Sequence, residues 1–154
     1  REPTACRPAR AGVGATGYLA APAPKLKFRD RVATDVYPFK PHVVVIAGGV
    51  NDACSPTDEF QAEATALFDD VQKNLPNTVV FVVGPWSPGC ELQAHQDAIK
   101  AAVGTRANFD PKSVSDDMAN IMPSTASLMA CPRFIFSDSP RMISHRKKMA
   151  TERP

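Results

Sequence analysis

The run His42-Val-Val-Val-Ile-Ala47 constrains this chain more than any other feature, because it is apolar without alternation and breaks abruptly into Gly48-Gly49. A strand with one wet face alternates. An unbroken run of valine and isoleucine belongs to a strand buried on both faces, the condition of a parallel sheet covered by helices. Val50-Asn51-Asp52 then stand at the carboxyl end of that strand, where open α/β sheets build their sites.

The residues that follow read as a crossover unit. Ser55 is placed to cap a helix, Pro56 suits its first position, and Asp58 and Glu59 complement the positive end of its dipole. Phe60, Ala64, Leu67, Val71 and Leu75 form one apolar stripe, and Asn74, Pro76 and Asn77 stop the helix. Thr78 to Val83 is a second buried strand, closed by Gly84-Pro85-Trp86-Ser87-Pro88-Gly89. A second helix is expected over Glu91 to Val103, with Leu92, Ile99 and Val103 inward and Gly104 as its stop. Ala107-Asn-Phe-Asp-Pro111 reads as a short third strand. Strands joined by helices through right-handed crossovers make a parallel sheet of the α/β class.

Elsewhere the pattern is weaker. Residues 1–40 are rich in proline, alanine and bases, and Pro22, Pro24 and Pro38 interrupt any long element, so they read as mostly loop. Residues 1–11 and 112–133 are expected to be irregular, and 144–154 a short basic terminal helix. With 154 residues and 44% hydrophobic content, one domain with a sizeable core is expected over 1–154.

A net charge of +2 creates no global field that calls for nucleic acid. The bases concentrate at both ends, and the cluster Arg141 to Lys148 reads as a solvated helix end without interleaved aromatics. No apolar segment reaches the roughly twenty residues of a membrane helix. Cys6, Cys54, Cys90 and Cys131 are too widely spaced for a zinc site, so no metal is expected; they allow two disulfides in three pairings, or buried thiols. The compartment stays open between a secreted or envelope protein and a cytoplasmic one. Arg1 stands where an initiator would, so the chain is expected to be processed, truncated or short of a segment.

Gly49-Val50-Asn51-Asp52 resembles the third sequence block of the SGNH (GDSL-type) esterases and lipases. Gly12-Val-Gly-Ala-Thr-Gly-Tyr18 is similar to that family's second block, Val79 to Pro85 to its next strand, and Phe134-Ile-Phe-Ser-Asp138 to the approach to its final block. The resemblance implies a three-layer α/β/α fold with a parallel, flavodoxin-like sheet. It also implies a serine hydrolase acting on acyl esters of lipids or carbohydrates, without metal or organic cofactor. The family's first block, a Gly-Asp-Ser turn carrying the nucleophile, has no counterpart before Gly12. The sheet is therefore expected to be smaller or more irregular than five strands, with exposed edges open to self-association.

The resemblance also assigns roles. Asn51, with a backbone N–H of Gly14 or Ala15 and the turn at Gly49 and Asp52, would form the oxyanion and substrate-binding cluster. The acid and base would come from Asp138 and His145, although Arg141 stands where the family places its histidine. Arginine cannot take a proton from serine. Read without the resemblance, Asn51 and Asp52 close an Asx turn and cap the next helix, and Gly12 to Gly17 is a glycine loop. Ser55, Ser87 and Cys54 lie past strand ends without a strand-to-helix glycine turn, and His42 and His95 read as structural or surface residues. Beside the esterase, two alternatives follow: an inactive relative or fragment that binds acylated or sugar ligands, and an unrelated α/β binding domain.

Overall fold

The computed structural model describes residues 9–85, 92–109 and 134–137, with backbone alone for 92 and 134–137. It is a mixed α/β structure whose strands all run parallel: β1 (Ala9–Arg10), β2 (Val43–Ala47), β3 (Val79–Val83) and β4 (Phe134–Ser137). Their order across the sheet is β1-β4-β2-β3. Beyond β3 a single parallel bridge, Val80 to Phe109, is what the expected third strand over 107–111 contributes among the described residues.

β2 forms where the valine run predicts it, and all five of its residues are buried. It pairs β3 from Val43–Val79 through Ala47–Val83. Three helices, α1 (Phe28–Asp35), α2 (Thr57–Asn74) and α3 (Leu92–Val103), complete the framework. Phe28, Val32, Phe60, Leu67, Phe68, Ile99 and Val103 from these helices share one core with Val44, Ile46, Val80 and Val82 of the sheet. The other sheet face, Val43, Val45, Ala47, Phe81 and Val83, is buried as well. All three helices lie on one face because the chain advances from β1 to β2 to β3 to Phe109 in one direction across the sheet, and right-handed crossovers then stack on the same side.

One expectation needs correction and two are refined. Residues 9–40 are mostly loop as expected, but Phe28, Val32 and Val36 recur four apart and mark α1, with a 3-10 turn at Tyr37–Phe39 after it. Ser55 does not cap α2; the cap position is Pro56, and no side chain bonds the helix start. The sheet has four strands among the described residues, smaller than five as expected, and β4 is hydrogen-bonded to β1 on one side and β2 on the other. The stripe on α2 is as read, with Phe60, Ala64, Leu67, Val71 and Leu75 all buried and Phe68 added. α3 ends at Gly104, whose N–H bonds the Lys100 carbonyl. No helix among the described residues is long and apolar enough to cross a membrane.

Candidate functional site

The loop after β1 and the turn after β2 leave the same rim of the sheet, and two side chains of that turn hold them together. Asp52 is fully buried and accepts three backbone N–H groups from the loop. Tyr18 donates to Oδ2 at 2.9 Å, while Leu19 and Ala20 donate to Oδ1 at 2.8 and 2.7 Å. Charge-assisted bonds of this kind are about twice as strong as neutral ones. They satisfy loop amides that have no ladder or helix partner, which buried backbone requires.

Two glycines make room for this knot. A Cβ on Gly17 would stand 2.1 Å from Asp52 Oδ2, inside the carboxylate. Gly49 has φ +106°, a conformation side chains disfavour, and a Cβ there would meet Pro85 at 2.4 Å. The turn then closes through Asp52 N–H to the Gly49 carbonyl at 3.3 Å and Ser55 N–H to the Asp52 carbonyl at 3.0 Å.

Asn51 is exposed where Asp52 is buried. Its Nδ2 donates one hydrogen to the Thr16 carbonyl at 3.0 Å. An amide nitrogen carries two hydrogens, so one donor of Asn51 stays available at the rim. Ala15, one residue before Thr16, is left-handed at φ +63°, so Gly14, Ala15, Gly49, Asn51 and Asp52 are brought to one end of the sheet.

A second layer supports the loop. Thr16 is fully buried; its hydroxyl donates to the Val13 carbonyl at 2.7 Å and accepts from Arg31 Nη2 at 3.2 Å. Arg31, also buried, donates Nη1 to the Ala11 carbonyl and to Asp35 at 3.3 Å. Burial pushes its guanidinium below the ordinary arginine range, with Asp35 opposing. Tyr18 anchors the loop in the core, its ring 5.2 Å from Phe28 and 5.1 Å from Phe60. The sequence reading missed this layer because Thr16 and Arg31 carry no periodic signal. The close spacing of Thr16-Gly17-Tyr18 is the one local hint that the loop is packed.

The other candidates separate clearly. His95 is buried, bonded through Nε2 to the Ser55 carbonyl at 3.1 Å, with its ring 4.5 Å from that of Phe60, so it is structural. His42 is exposed and lines a polar cleft with Tyr37, Lys40, Asn74 and Asn77 at the amino ends of the strands, the opposite rim. Cys54 is disulfide-bonded and therefore has no thiolate with which to attack. Asp138, His145, Arg141 and Ser87 lie outside the described residues. Among the described residues no three His, Cys, Asp or Glu side chains form a metal-binding group.

What the rim offers chemically is one neutral side-chain donor beside a backbone loop held rigid by a buried carboxylate. Comparison with protein-family models, curated proteins and solved structures finds no match, so these residues carry the functional argument by themselves.

Proposed function

We propose that the chain is an SGNH-type serine esterase-like domain that hydrolyses acyl esters of lipids or carbohydrates. The observation that carries this reading is the Asn51 Nδ2 to Thr16 carbonyl bond of 3.0 Å. It joins the two segments that the sequence singled out, 12–17 and 49–52, at the carboxyl rim of a parallel sheet. Ester hydrolysis puts negative charge on a carbonyl oxygen, and donors fixed before reaction stabilise it without reorganisation. Asn51 is such a donor, and its bond to Thr16 holds the amide in place while one hydrogen remains for the substrate.

Asp52 in this scheme touches no substrate. It holds the loop whose backbone shares the site with Asn51. The second sheet face is buried, as a third layer of a three-layer fold requires. The disulfide at Cys54 suits an oxidising compartment. Arg141, standing where the resemblance puts a histidine, favours a second reading in which the cleft binds acylated ligands without turning them over.

Hydrolysis of a short-chain nitrophenyl ester tests the choice. Turnover should fall about 10²–10³-fold in kcat on Asn51→Ala, the cost of one oxyanion donor. Binding of the ester without turnover by the native chain would leave the second reading in its place.

A further inference from the structure

The aim of the Asn51 amide depends on the carbonyl that receives it, and that carbonyl belongs to Thr16. The chain after Thr16 is held by Asp52, which takes the amides of Tyr18, Leu19 and Ala20 and fills the space that a Cβ on Gly17 would need. Thr16 itself is held through its side chain. The one hydroxyl hydrogen goes to the Val13 carbonyl at 2.7 Å, and the same oxygen accepts Arg31 Nη2 at 3.2 Å.

Arg31 belongs to α1 and keeps only 5% of its surface exposed. Its guanidinium grips the loop at two places: Nη1 donates to the Ala11 carbonyl where the loop begins, and Nη2 to the Thr16 hydroxyl five residues later. Asp35, one turn on along α1, receives Nη1 at 3.3 Å, and the guanidinium carbon lies 5.5 Å from the centre of the Phe28 ring. A planar fork fixes its two acceptors relative to each other, whereas a lysine ammonium is a point charge on a flexible stem. Burying a charge beside one partly exposed acid is a poor way to gain stability, since an apolar side chain of similar volume often serves as well. What the charge supplies here is geometry.

We propose that Arg31 is a positioning residue for the Asn51 donor, acting through Thr16. The guanidinium holds the Thr16 hydroxyl, and the Thr16 carbonyl holds the amide whose remaining hydrogen serves the rim. One residue therefore links the buried charge to the donor, and α1 takes part in a site that its own side chains do not line. The kinetic side of this inference rests on the ester-hydrolase reading. The link between Arg31 and Asn51 does not.

Two consequences follow from acting through another group. An oxyanion donor matters most when charge develops on the carbonyl oxygen, so loosening it lowers kcat more than it raises KM. A residue that works by aiming Asn51 has nothing to aim once that amide is gone, so the two losses do not add.

The test is a double-mutant cycle on the full chain, read by nitrophenyl acetate turnover and by NMR of the Asn51 side-chain amide, whose signals are assigned by their loss in Asn51→Ala. Arg31→Lys should lower kcat by up to about 10²-fold with KM nearly unchanged, yet add no loss in the Asn51→Ala background. The Asn51 amide hydrogens should move toward the shifts of a free asparagine amide in Arg31→Lys and in Thr16→Val, and stay native in Thr16→Ser, which keeps the hydroxyl. An equal kcat loss in the Asn51→Ala background, or native Asn51 shifts in both Arg31→Lys and Thr16→Val, overturns the positioning role and leaves the ester-hydrolase reading standing. A native chain without turnover overturns that reading, and the Asn51 shifts then decide the Arg31–Asn51 link by themselves. If Arg31→Lys fails to fold, Thr16→Val against Thr16→Ser makes the same comparison.

Discussion

The loop from Ala11 to Ala20 and the helix α2 are both deeply packed, yet their order has opposite origins. α2 is specified locally: its apolar stripe repeats every three to four residues, and its acidic first turn suits the dipole. The loop has no repeating element, and its order comes from Asp52, more than thirty residues away, and from Arg31 on α1. A helix tolerates the loss of one contact because neighbouring turns persist. A loop whose amides converge on one carboxylate loses its geometry together with that group.

The largest expected effect falls on the helix side. Phe68 is fully buried, with its ring 6.1 Å from Tyr18 and 5.2 Å from Phe109, and Phe68→Ala should cost about 3–5 kcal/mol by opening a cavity. Urea unfolding measures that loss, and amide exchange should quicken across the whole core. If exchange quickened only within α2, the helix would be a separate unit and the contrast would need redrawing.

Asp52→Asn comes next, at about 2–4 kcal/mol, because an amide cannot accept all three N–H groups and leaves at least one buried donor unmet. Here exchange should quicken selectively at Tyr18, Leu19 and Ala20, and, under the proposed ester-hydrolase function, turnover should drop further than stability alone explains. Uniform exchange across the core would mean that the carboxylate supports the fold at large and not the loop in particular.

The smallest effect sharpens the comparison from outside. Arg29 bonds Asp70 at 2.8 Å across the surface between α1 and α2, with both side chains about two-fifths exposed. Asp70 also holds the Arg29 guanidinium above its ordinary value, but solvent screening leaves exposed pairs worth little. Arg29→Ala should change unfolding free energy by less than about 1 kcal/mol and leave loop exchange untouched.

Much of the framework was legible in the residues. β2, β3, α2 and α3 follow from runs of apolar residues with a clear period, and burial on both faces follows from the absence of alternation in His42 to Ala47. α1 was hidden because Pro22, Pro24 and Pro38 drew attention to breaks on either side of Phe28, Val32 and Val36. The cap of α2 was misread because Ser55 satisfies local rules, whereas its carbonyl is needed by His95 forty residues on.

The site divides in the same way. Asn51 and Asp52 were visible as polar residues at a strand end, but their separate duties were not, because adjacent residues leave a turn in different directions. One points into the core and gathers amides; the other faces the rim and keeps a donor.

Hydrophobic period and turn chemistry thus determined, from the sequence by itself, that strands and helices alternate in a parallel α/β arrangement with a polar turn after β2. Tertiary structure alone decided that β4 enters between β1 and β2, that Asp52 organises the loop after β1, and that Arg31 is buried beneath it. The physical reason is range: propensity and periodicity act within a few residues, whereas strand order and buried hydrogen bonds are settled by which distant groups can satisfy one another once the core has closed.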